Sequence, residues 1–141
     1  MPDWQSVGAH RYYVDGSLFV LEMNGTVSLA EITELLQPQE ALFDKYERVL
    51  TLSLIHGVEL PSPEVRKFLA ERGKRVDIRR LHTVVVTQNV VLRSIIRLVE
   101  RATSMITGSP LYNTFVSSEA EAWQWVEEQR RQHPPTRRDT P

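Results

Sequence analysis

Apolar residues along the chain follow two alternating rhythms. The short runs His10–Val14, Ser17–Met23, Val49–Ile55, Leu81–Thr87 and Leu111–Val116 are rich in β-branched and aromatic residues and too brief for ordinary helices, so they are predicted strands. Between and after them, apolar residues recur near the 3.6-residue helical period: Ile32, Leu35, Leu36, Leu42 and Phe43; Val65, Phe68 and Leu69; Leu92, Ile95, Ile96, Val99 and Ala102; Ala120, Ala122, Trp123 and Val126. Local punctuation agrees with this alternation. Asp15-Gly16 is predicted to close a two-residue hairpin, and Asn24-Gly25 makes the next turn. Ser28 with Glu31, and Ser118 with Glu121, are predicted capping boxes. Pro38 is expected to kink or split its helix, because it cannot donate to the Glu34 carbonyl.

Strands alternating with helices imply right-handed crossovers and parallel pairing. The predicted fold is therefore α/β: a single domain with a mixed, mostly parallel sheet, an N-terminal antiparallel hairpin and about four flanking helices. Residues 10–132 are assigned to this domain, residues 1–9 to an N-terminal extension, and the proline-rich stretch 133–141 to a disordered tail. If the hairpin forms the sheet edge, a homodimer can pair along it.

Arg48 to Gly73 is the organising stretch. Val49–Ile55 carries no charge and reads as a central strand buried on both faces. Ser62 follows as an N-cap, Pro63 fits the first helical position, Glu64 suits the positive helix end, and Gly73 is the expected stop. Open α/β sheets place ligands where the carboxyl ends of strands meet helix N-termini, which directs attention to Ile55–Ser62.

Composition narrows the chemistry. The 141 residues include no cysteine, which excludes disulfides, thiolate catalysis and cysteine-ligated metals. No run approaches the roughly 18 apolar residues of a membrane span, and no secretory leader opens the chain, so a cytoplasmic protein is expected. Residues 1–62 carry 3 basic and 9 acidic side chains, whereas residues 63–141 carry 14 and 9. Much of the positive excess lies in Arg66, Lys67, Arg72, Lys74, Arg75, Arg79 and Arg80, read either as a solvated surface or as a face for phosphate or an acidic partner. No aromatics are interleaved with these residues, so nucleic acid is not an expected partner. Arg93, Arg97 and Arg101 form a second stripe at i, i+4, i+8, again either solvated or a docking surface.

His10, His56, His82 and His133 make no local metal-ligand pair, and no nucleotide-binding glycine motif occurs, so neither metal nor cofactor is expected. His56 ends the central strand near Ser62, which leaves a hydrolase built on these two as one alternative. No nucleophile elbow accompanies them.

The hairpin ending in EMNG, the proline-containing helix TVSLAEITELLQPQEALFDKYE, the strands VLTLSL and TVVVT, and the closing FVSSEAEAWQWV resemble the SpoIIAA-like branch of the STAS-like domains over residues 10–129. The resemblance implies a non-enzymatic cytosolic regulatory module that works by binding a protein partner. It places Ser62 where anti-sigma-factor antagonists carry a phosphorylated serine. Here Leu60-Pro61-Ser62-Pro63-Glu64 lacks the aspartate, second hydroxyl and glycine usual at that place. Candidate partner-binding residues are His56, Glu59, Arg66, Lys67, Arg93 and Arg97. A more distant resemblance to CRAL-TRIO lipid carriers implies an apolar ligand beneath the helix bearing Ile95, Ile96 and Val99 or the one bearing Val65, Phe68 and Leu69.

Overall fold

The computed structural model describes residues 2–57, 61–109 and 112–138. Six strands form one sheet: β1 (Gln5–Val7), β2 (His10–Asp15), β3 (Leu18–Asn24), β4 (Val49–His56), β5 (Leu81–Val86) and β6 (Tyr112–Val116). Four helices join or follow them: α1 (Leu29–Lys45), α2 (Pro63–Glu71), α3 (Val90–Thr107) and α4 (Glu119–Gln132). The α/β class expected from the alternating rhythms is present. Strand order is sequential, β1 to β6, with β1, β2 and β3 antiparallel and β3 to β6 parallel.

Sequential order has two consequences. Successive right-handed crossovers put α1, α2 and α3 on one face of the sheet, leaving the other face to α4. Among the described strands the order also never reverses, so the sheet has no topological switch point. Of the stretch Ile55–Ser62, residues 58–60 lie outside the described residues, while Ile55 and Pro61 line a cavity beneath α3.

Side chains sort cleanly by parity. Leu18, Val20, Leu50, Leu52, Leu54 and Val84 pack against Ala122 and Val126 of α4, with Trp123 and Trp125 half-buried at the margins. Phe19, Leu21, Val49 and Leu81 point the other way, into Ile32, Leu35, Leu36, Leu42 and Phe43 of α1 and Val65 of α2. Burying each such side chain contributes roughly 1.5–3 kcal/mol.

Several local expectations are corrected. The hairpin loop is Gly16-Ser17 rather than Asp15-Gly16, because Asp15 pairs with Leu18 and the positive φ of 59° falls on Gly16, the first loop position. The edge on the hairpin side is β1, which covers His10–Tyr12 of β2, and the other edge is β6. Of the two outcomes expected at Pro38, a kink or a split, the split does not occur: the capping box and the burial of Ile32, Leu35, Leu36, Leu42 and Phe43 hold both sides of the proline in one helix. At the second serine cap, Ser118 Oγ accepts from Glu121 N–H, but Glu121 returns to the N–H of Ser117 rather than of Ser118. Gly73 does not stop α2 with a left-handed cap. It lies in a 3-10 turn over Arg72–Lys74, where a Cβ would stand 2.7 Å from Thr107 Cγ2. Its smallness lets α2 approach α3.

The segment beyond α4 also departs from the disordered tail expected there. Arg138 N–H donates to Lys45 O and Glu47 N–H to Thr136 O, so residues to Arg138 lie along the exit of α1. These backbone bonds satisfy carbonyls and amides at a helix end that would otherwise lack partners.

Candidate functional site

The strand Val49–His56 reads Leu-Thr-Leu-Ser-Leu through its middle, and that alternation shapes both faces of the sheet. Its leucines fill the space beneath α4. Its small hydroxyl residues Thr51 and Ser53, with Thr83 of the adjacent β5, face α1, α2 and α3 and do not fill the corresponding space. A cavity of about 210 Å³ results. Leu92, Ile95, Ile96 and Val99 of α3 roof it, Leu36 of α1 and Leu69 of α2 close its sides, and Met23, Ile55 and Pro61 lie at the carboxyl end of the strands.

A few polar groups interrupt this apolar lining. Arg72, at the end of α2, is buried to 8 % exposure and reaches the cavity wall. Its Nε donates to Glu40 Oε1 at 3.3 Å, and its Nη2 donates to Gln39 Oε1. Gln39 in turn donates through Nε2 to Thr51 Oγ1 at 2.7 Å. Glu40 also receives Arg75, so one carboxylate answers two guanidinium groups. Burial pushes the Arg72 pKa down, and Glu40 opposes that shift. Arginine stays protonated throughout the ordinary range, so the wall of this apolar space carries a fixed positive charge.

The residues selected from sequence scatter around this cavity rather than meeting in one site. Ser62 caps α2, its Oγ accepting from Val65 N–H at 3.3 Å. His56 points to the α4 side with Leu54 and Leu52, where its Nε2 lies 3.2 Å from Glu22 Oε2. No hydrogen bond joins His56 to Ser62, whose helix lies on the opposite face of the sheet. Glu22 also receives Arg11 Nε at 2.6 Å. Burial pushes the Glu22 carboxyl pKa up, but the bonds from Arg11 and His56 outweigh it and hold the group below its usual range. Glu59 lies outside the described residues.

Arg93 and Arg97 do not stand free as a solvated stripe. Arg93 donates to Thr87 O at 2.7 Å, and both guanidinium groups stack over Phe115 of β6, at 5.7 and 4.8 Å from the ring centroid. Such contacts are worth about 0.5–1 kcal/mol each at exposed sites. The basic cluster after α2 is likewise divided among local tasks. Arg72 and Arg75 are bound to Glu40, Arg79 to Asp77, and Arg80 donates to the carbonyls of Phe43, Tyr46 and Glu47 at the end of α1. Arg66, Lys67 and Lys74 remain, the first two at the rim of a groove between α2 and α3.

Sequence reasoning missed Arg72, Gln39, Thr51 and Ser53. The signal was present in Val49–Ile55: leucine alternating with threonine and serine marks one filled and one underfilled face. Comparison with protein-family models, curated proteins and solved structures finds no match to this chain. No described helix is long and apolar enough to cross a membrane.

Proposed function

We propose that the chain is a non-catalytic binding module that carries or senses a small apolar molecule between the sheet and helices α1, α2 and α3. The observation that carries this reading is the cavity of about 210 Å³, with its mainly aliphatic lining and its buried arginine. A cavity of roughly 150 Å³ lined by aliphatic and aromatic residues stays dry and accepts benzene, so this one has room for on the order of eight to ten non-hydrogen atoms. Arg72 and the hydroxyls of Ser53 and Thr83 suit a ligand with one polar, acceptor-bearing end. The resemblance to lipid-carrier domains adds weight from the sequence side.

Native mass spectrometry of gently purified protein, with a parallel denaturing run, tests the proposal. A non-covalent mass that disappears on denaturation and is recovered in an organic extract supports the carrier. Unliganded protein that also takes up no added small apolar acids overturns it.

A second reading, a STAS-like protein-docking module switched at Ser62, has one observation in its favour. Ser62 sits at the start of α2, where a phosphate would meet the positive end of the helix and Arg66 one turn away. It predicts a protein partner whose binding changes when Ser62 becomes Asp.

A further inference from the structure

Helix α3 is amphipathic with an unusual outer face. Leu92, Ile95 and Val99 turn inward, yet Val91, Leu98 and Met105, seven residues apart in succession, form an apolar crest on the outside. Leu98 is 55 % exposed and Met105 is 87 % exposed. Solvated helix faces ordinarily carry polar residues at such positions.

Basic groups flank the crest on both sides. Arg97 and Arg101 are exposed on the side toward β6. Arg97 there also stacks on Phe115 and pairs with Glu100 at 3.4 Å, so Arg101 is the residue of this flank with no such partner among the described residues. Across the crest, a groove of about 340 Å³ separates α3 from α2, with Ala70 and Ala102 among its lining residues and Arg66 and Lys67 at its rim. We propose that this face docks on an anionic lipid bilayer, with Leu98 and Met105 entering the acyl region and Arg66, Lys67, Arg97 and Arg101 meeting lipid phosphates.

Charge selects this occupant. A second copy placed crest to crest would set two rows of like charge against each other, whereas an anionic bilayer answers both rows at once. Each basic side chain near such a surface strengthens binding about fivefold, and the gain falls with salt. The crest itself is a ridge of flexible side chains, the form in which a helix enters the headgroup boundary. This surface shares only Val99 with the cavity beneath α3 and does not require the cavity to be filled.

Co-sedimentation of the full chain with vesicles tests the proposal, using pure phosphatidylcholine and a mixture containing about 30 % phosphatidylglycerol. Binding is expected only to the anionic vesicles, and it should weaken at least about tenfold between 0.05 and 0.5 M salt. The exposed double variant Leu98→Glu/Met105→Glu should keep the wild-type melting temperature and lose at least about tenfold in binding, and Arg101→Glu alone about fivefold or more. Absence of binding to anionic vesicles overturns the proposal. So does binding that the double variant leaves unchanged, which would place the contact elsewhere. A dimer in sedimentation velocity that the same variant dissolves would assign the crest to a second copy and equally overturn it.

Discussion

At the scale of single residues, the chain places charge in two unlike settings. Arg72 is buried among partners that hold it, whereas His82 is half-buried among cations. The His82 ring stacks on Tyr112 at 4.9 Å, with Arg48 and His133 nearby. Burial lowers its pKa from 6.5 to about 4, and the charges of Arg48 and His133 push in the same direction. The folded state therefore resists protonating this ring more than the unfolded chain does. Its contribution to stability is complete above 6.5 and is lost as pH falls from there toward about 4. Histidine resonances followed by NMR should show the His82 ring neutral at pH 5.5, and His82→Phe should flatten the fall of stability across that window. A ring titrating near 6.5 would contradict this placement.

At the scale of elements, much was legible because local chemistry and tertiary packing agree. Ser28, Ser62 and Ser118 cap the helices that their positions foretold, and Val49–Ile55 lies within the central strand. The failures share a physical cause, namely neighbours that no local pattern specifies. Pro38 removes one hydrogen bond, but the packed face of α1 outweighs that loss. Gln5–Val7 is too short to carry a strand signal and becomes one only because β2 offers an edge. Gly73 looks like a helix stop, yet its role is set by Thr107, more than thirty residues away in sequence. That role is testable. Gly73→Ala should destabilise by about 1–2 kcal/mol, the overlap with Thr107 outweighing the usual gain of about 0.4–1 kcal/mol from replacing glycine. Thr107→Ser removes the clashing methyl and keeps the hydroxyl that donates to Thr103 O. In a double-mutant cycle read by chemical denaturation, it should recover most of the loss. Additive effects would mean that the two helices do not meet there.

At the scale of the whole molecule, the sheet divides two different interiors. One face is closed by leucines and valines under α4. The other, beneath three helices, contains small hydroxyl residues and a buried charge where a core of this size would ordinarily be filled. The partition was written in the parity of β4, but assigning it required knowing that α4 alone covers the even-numbered side. The candidate site was less legible than the fold for the same reason. Its members come from β4, β5, α1, α2 and α3, and Arg72 looks from sequence like one more residue in a solvated basic run. Only the packed arrangement separates it from Arg79 and Arg80, which bind carboxylate and carbonyl oxygens nearby.

If the underfilled face receives a small apolar molecule, an NMR titration of the amide spectrum with octanoate will show it. Wild-type protein should show saturable shifts at Ser53, Thr83 and Leu92. Ser53→Val, which fills part of the space, should raise stability by about 0.5–2 kcal/mol and abolish those shifts. Shifts confined to the outer surface of α3, or unchanged in Ser53→Val, would mean that the cavity is not a binding site.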